Sequence, residues 1–95
     1  MSKHKGHPVA DLYPAALGAA VKARRTQLGL TQQDLARRCD LDQGYLGRVE
    51  GGSQNVAVSN IARIAIALET APEQLLNRAS KIICEQMRSQ RQTSA

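Results

Sequence analysis

Between Leu28 and Gly52 the chain reads LGLTQQDLARRCDLDQGYLGRVEGG, and this stretch constrains the fold more than any other. Thr31 followed by Asp34 is a capping box of the T-x-x-D kind: the hydroxyl takes an orphan amide at a helix start while the acid complements the helix dipole. A helix over 32–39 follows, burying Leu35, Ala36 and Cys39. Asp40, Leu41 and Asp42 form the turn, and Asp42 is a good N-cap for a second helix over 42–50. That helix turns Tyr45, Leu46 and Val49 inward until Gly51 and Gly52 stop it. The stretch is therefore two short amphipathic helices joined by a tight turn.

Three further helices are expected around this pair. Pro14 suits a first helical turn, and Leu17, Ala20, Val21, Arg24 and Leu28 recur at helical spacing until Gly29, which predicts a first helix over about 14–28. After a small, polar loop from Gly52 to Ala57, the residues Val58, Ile61, Ala62, Ala65 and Leu68 repeat as i, i+3, i+4 and i+7, and Pro72 opens a fifth helix with Leu75 and Leu76. Ala79, Ile82, Ile83 and Met87 extend the Leu75 stripe on the same period, so something must cover them. No strand pattern occurs. The expected fold is all-α with five helices, flanked by a flexible basic arm over 1–11, broken by Gly6 and Pro8, and a disordered tail over 90–95.

With 95 residues the chain has room for one domain and a modest core. Thirteen Lys and Arg against eight Asp and Glu give a net charge of +5, which favours a polyanionic partner. Cys39 and Cys84 lack CxxC spacing, and no charged-then-apolar leader opens the chain, so reduced thiols and a cytoplasmic location are expected. No apolar run approaches the roughly 20 residues that cross a bilayer, and no membrane partner is expected. His4 and His7 have a spacing that can hold a metal, but both fall in the arm with no Cys or acid nearby; no metal, cofactor or small-molecule ligand is expected. No phosphate loop, nucleophile elbow or paired-carboxylate arrangement is visible, so the chain does not read as an enzyme.

The exposed face of the 42–50 helix carries Gln43, Gly44, Gly47 and Arg48. Each glycine costs about 1 kcal/mol against Ala inside a helix, a cost that fits close approach to another surface such as a groove floor. Arg48 can donate bidentately to guanine O6 and N7, and Gln43 can pair with adenine N6 and N7. The alternative for Arg48 is a solvated charge, and for the glycines simple tolerance by packing. Gln32 and the free amides at the start of the 32–39 helix, with Ser53, Gln54 and Asn55 in the loop, suit phosphate oxygens. Thr31 stands beside them, though a cap is its first role.

The runs RRTQLGLTQQDLARR, YLGRVEGG and IARIAIAL resemble the helix-turn-helix family of lambdoid phage repressors, Cro and the Xre-type regulators over about residues 15–78. LDQGYLGRVE followed by QN is also similar to the small controller proteins of restriction and modification systems. The resemblance implies a lambda repressor-like DNA-binding domain over 12–78 and a C-terminal helical extension over 79–89. It implies base-reading positions at Gln43, Gly44 and Arg48, a phosphate contact at Gln32, and a structural ion pair between Arg25 and Glu50. Gly44 departs from family members with a longer polar side chain there, and Val56 and Ala57 replace the family's Pro and Thr or Ser, which shifts the expected start of the fourth helix toward Ser59.

The stripe of Ile82, Ile83 and Met87 is either a dimer surface or an extension that folds back on the first helix, and the dimer is favoured because a two-fold dimer reads two half-sites about 34 Å apart. The expected function is a homodimeric, sequence-specific transcription regulator that binds double-stranded DNA at a pseudo-palindromic operator. The alternative is an antitoxin or adaptor that grips a partner protein through the stripe at 75–87.

Overall fold

The structure, a computed structural model, describes residues 6–93. His4, Lys3 and Lys5 of the expected arm, and the last two residues of the expected tail, lie outside them. A short 3-10 turn (Ala10–Leu12) leads into α1 (Tyr13–Gln27), α2 (Gln32–Cys39), α3 (Gln43–Glu50), α4 (Val58–Ala67) and α5 (Pro72–Thr93). No strand occurs among the described residues.

The chain punctuates its helices by side-chain chemistry. Thr31 Oγ1 accepts from the Asp34 amide at 3.0 Å while Asp34 Oδ2 accepts from the Thr31 amide at 2.9 Å, closing the capping box of α2. Asp42 Oδ2 accepts from the Tyr45 amide at 3.0 Å and opens α3. Ala57 has no side chain to cap α4, which nevertheless starts at Val58 and not nearer Ser59: the Ala57 carbonyl accepts from the amides of Asn60 and Ile61. The C-terminal end of α4 is closed from outside. Arg24 Nε donates to the Leu68 carbonyl at 2.9 Å and Arg38 Nη1 to the Ala67 carbonyl at 3.3 Å, satisfying acceptors that no helical amide reaches.

Leu35, Leu46, Ile64, Leu68 and Leu75 are fully buried, so α2, α3, the end of α4 and α5 meet in one core, and Val21 and Ala20 close it from α1. Cys39 is buried here too, and desolvation pushes its thiol pKa up. α5 packs most extensively along α1, and Tyr13 Oη and Ser80 Oγ share a hydrogen bond of 2.9 Å across that seam.

This packing corrects three expectations. Ile83, expected on a dimer surface, is 3% exposed and belongs to the core, while Ile82 and Met87 are half-buried against it; the extension folds back on α1 within the same chain. α5 runs unbroken from Pro72 to Thr93, which continues the expected helix through 79–89 and makes residues 90–93 of the expected tail helical as well. At the other end, residues 7–11 form a turn and not a free arm: His7 Nδ1 accepts from the Val9 and Ala10 amides at 3.1 and 2.9 Å, and Asp11 Oδ2 accepts from the His7 amide at 2.7 Å. Both devices are local side-chain acceptors for otherwise unpaired amides. No helix among the described residues is long and apolar enough to cross a membrane.

Candidate functional site

α3 is held from behind and open in front. Leu46 and Val49 sink into the core, whereas Gln43, Gly44 and Arg48 are exposed on the opposite side. Gly47, expected on the open face, is half-buried, and a Cβ there would stand 3.8 Å from the Gln32 Oε1 that lies over it. Gly44 has a different reason to be small: a Cβ would come within 2.9 Å of Asp42 Oδ2, the atom that caps the helix.

The far end of α3 is fixed by a buried ion pair. Arg25 Nε donates to Glu50 Oε2 at 2.6 Å and Nη2 to Oε1 at 2.9 Å, the parallel two-bond geometry a guanidinium makes with a carboxylate. The two side chains are 11% and 3% exposed, and the hydrogen bond to Glu50 raises the Arg25 pKa. Arg25 Nη1 also donates to the Leu30 carbonyl at 2.7 Å, and Gln32 Nε2 donates to Glu50 Oε1 at 3.0 Å. One carboxylate thus ties together α1, the start of α2 and the end of α3. Gln32, expected to face outward alone, spends one amide hydrogen inside and keeps the other. The sequence carries no signal for that bond beyond the spare acceptor capacity of Glu50.

Gly18 sits where α1 crosses this end. A Cβ at that position would overlap the Val49 carbonyl oxygen and lie 2.9 Å from that of Glu50, so α1 and α3 meet backbone to backbone. Nothing in the local pattern of α1 marks Gly18, because the constraint comes from residues about thirty positions away.

In front, a second cluster surrounds Arg48. Its Nε donates to Gln54 Oε1 at 3.2 Å, and its guanidinium carbon lies 5.9 Å from the centre of the Tyr45 ring. Tyr45 Oη in turn accepts from Asn60 Nδ2 at 3.1 Å. Ser53 is exposed, with its amide at 3.0 Å and its hydroxyl at 3.4 Å from the Arg48 carbonyl, and Asn55 is exposed as well. Thr31 and Gln54, both expected at phosphates, therefore have internal partners in Asp34 and Arg48. Asn60 joins the site although it stands outside the α4 stripe, which gave no sign of it. Of the basic residues on α2, Arg37 pairs with Asp34 at 3.3 Å in solvent, and Arg38 turns toward Glu69 and the end of α4.

The site is thus a short exposed helix with one fixed guanidinium and one free amide, Gln43, flanked by a polar loop on one side and a helix start on the other. The comparisons bear on what such a surface meets. A helix-turn-helix family model matches residues 21–75. The Neisseria meningitidis protein called hypothetical transcription factor is 42% identical over 62 residues, covering 65% of this chain; the match spans 58% of that protein's length. The restriction-modification controller protein C.AhdI from Aeromonas hydrophila superposes with a TM-score of 0.64 at 41% identity, covering 70% of this chain and 97% of that one. The controller protein C.Esp1396I, as a tetramer in complex with its natural 35 base-pair operator, superposes with a TM-score of 0.69 at 27% identity, covering 78% of this chain and 95% of that one.

Proposed function

This chain belongs to the Xre-type helix-turn-helix family, and on that premise we propose that it is a sequence-specific, cytoplasmic transcription regulator that places α3 in the major groove of an operator. The observation that carries this reading is the exposed row of Gln43, Gly44 and Arg48 on a helix whose other face is core. Arg48 donates to guanine O6 and N7, Gln43 pairs with adenine, and Gly44 lets the α3 backbone come close to the base edges. The phosphates fall to the free amide hydrogen of Gln32, to Ser53 and to Asn55, with the amides at the start of α2 adding their dipole.

The reading includes a homodimer on a pseudo-palindromic site, because one short helix meets only one half-site and a second copy adds affinity through effective concentration. With Ile83 in the core, the surface offered to that copy is the row of Val58, Ala62 and Ile66, which recurs every fourth residue along α4 and leaves Val58 80% and Ile66 73% exposed. The operator-bound C.Esp1396I tetramer supports assembly of this kind. The rival reading, a partner protein gripped by the stripe at 75–87, loses its main support to the burial of Leu75, Ala79 and Ile83.

Selection from a random duplex library at near-physiological salt, with competitor DNA to suppress charge-driven binding, tests the function. The expected product is a two-fold symmetric motif with half-site centres about one helical turn apart. Absence of any enriched motif would refute it.

A further inference from the structure

A guanidinium reads guanine well only if it arrives already aimed, since the rotamer freedom of a long arginine opposes binding when it must be frozen on contact. Arg48 is aimed by a loop residue, by a ring one turn back on its own helix, and by the α4 residue that holds that ring. Gln54, in the loop after α3, takes the Nε hydrogen at 3.2 Å. The Tyr45 ring lies 5.9 Å beneath the guanidinium carbon, within reach of a cation–π attraction. Asn60, on α4, fixes that ring by donating to its hydroxyl at 3.1 Å. Gly44 stands one turn before: the position of its missing Cβ is 3.7 Å from Arg48 Nη1, so the guanidinium lies back along α3 toward its N-terminus. With Nε engaged, the hydrogens on Nη1 and Nη2 are the ones left for O6 and N7 of one guanine.

We propose that Gln54, Tyr45 and Asn60 are specificity-determining positioning residues that hold Arg48 for base readout, so that the loop after α3 and the start of α4 set base preference without touching a base. This rests on Arg48 being a base reader. It also gives Gln54 a different task from the phosphate contact its sequence position implies.

The test compares Gln54→Ala, Asn60→Ala and Tyr45→Phe with Arg48→Ala in competition among operator duplexes varied one base pair at a time, alongside affinity for random duplex and a thermal melt. Each positioning variant removes one hydrogen bond and is expected to lower discrimination at the Arg48 base pair by about threefold, the size of one modest hydrogen bond. Discrimination at other base pairs and affinity for random duplex stay as they were. Gln54→Glu, which keeps an acceptor for Nε, restores the preference, and Gln54→Ala adds nothing further in an Arg48→Ala background. If Gln54→Ala instead weakens all sequences equally and leaves the preference at the Arg48 base pair intact, Gln54 is a phosphate contact and the inference is wrong. Failure of the underlying reading looks different: Arg48→Ala itself would leave base preference unchanged. The Gln54 and Asn60 variants alter polar, incompletely buried side chains, so a folding defect in the Tyr45 variant leaves the test intact.

Discussion

Asp34 shows how much a single side chain decides at the start of α2. The Thr31 amide and hydroxyl hold its carboxyl below the usual carboxylate range, with Arg37 and Arg38 adding to the effect. A carboxyl whose pKa is depressed by folding stabilises the native state above its unfolded pKa, and that contribution disappears as the pH falls through the lower, folded value. Asp34→Asn is therefore expected to lower the melting temperature at neutral pH and to leave a shallower acid limb, with the two proteins converging at low pH. Parallel acid limbs in a pH series of thermal melts would show that the cap carries no linked proton. The two caps at Thr31 and Asp42 are also where residue-level reading succeeded: α2 begins at Gln32 and α3 at Gln43 because short polar side chains accept amides three positions on, a relation visible in a string of letters. It failed at His7, whose imidazole accepts two amides in a turn that composition alone marks as loose.

Between elements, the information is of another kind. Periodicity correctly identified α5 as apolar along 75–87, yet a 3.6-residue period says only that a face must be covered and not which surface covers it, and Ile83 went to the core of the same chain. Gly18 escaped for the same reason, since its constraint is the carbonyl of Val49 on another helix. Gly18→Ala is expected to force α1 away from α3 and to destabilise by about 1–3 kcal/mol, the usual cost of overpacking, measurable by urea denaturation. A change below a few tenths of a kcal/mol would mean the two helices separate freely. The Arg25–Glu50 pair was legible through the family resemblance, and its burial predicts strongly unequal outcomes. Removing one partner, as in Arg25→Ala, strands the Glu50 carboxylate and should cost about 3–5 kcal/mol, whereas replacing both by apolar residues of similar volume should cost far less. A double-mutant cycle by denaturation distinguishes these from a pair that contributes nothing.

At the scale of the whole molecule, the described surface carries a polar face at α3 and its flanking loop and a separate apolar row along α4. On the proposed dimer through α4, Ile66→Asp is expected to give a monomer in sedimentation and to lower operator affinity by tenfold or more while leaving the preferred bases unchanged, because the loss is one of effective concentration and not of readout. A variant that still sediments as a dimer would move the interface elsewhere.

The carboxylate of Glu50 joins α1, α2 and α3 at one point, and this has a consequence for how such a protein can change. The angle at which α3 leaves the body has no adjustment independent of the fold, since loosening Arg25, Gln32 or Glu50 disturbs the anchoring of all three helices together. What can drift is the lettering on the open side, positions 43, 48 and 54, which bear little on the core. On the proposed reading, new operator preferences are within reach of a few surface exchanges on a frame that stays unaltered, much as type is reset in a locked press.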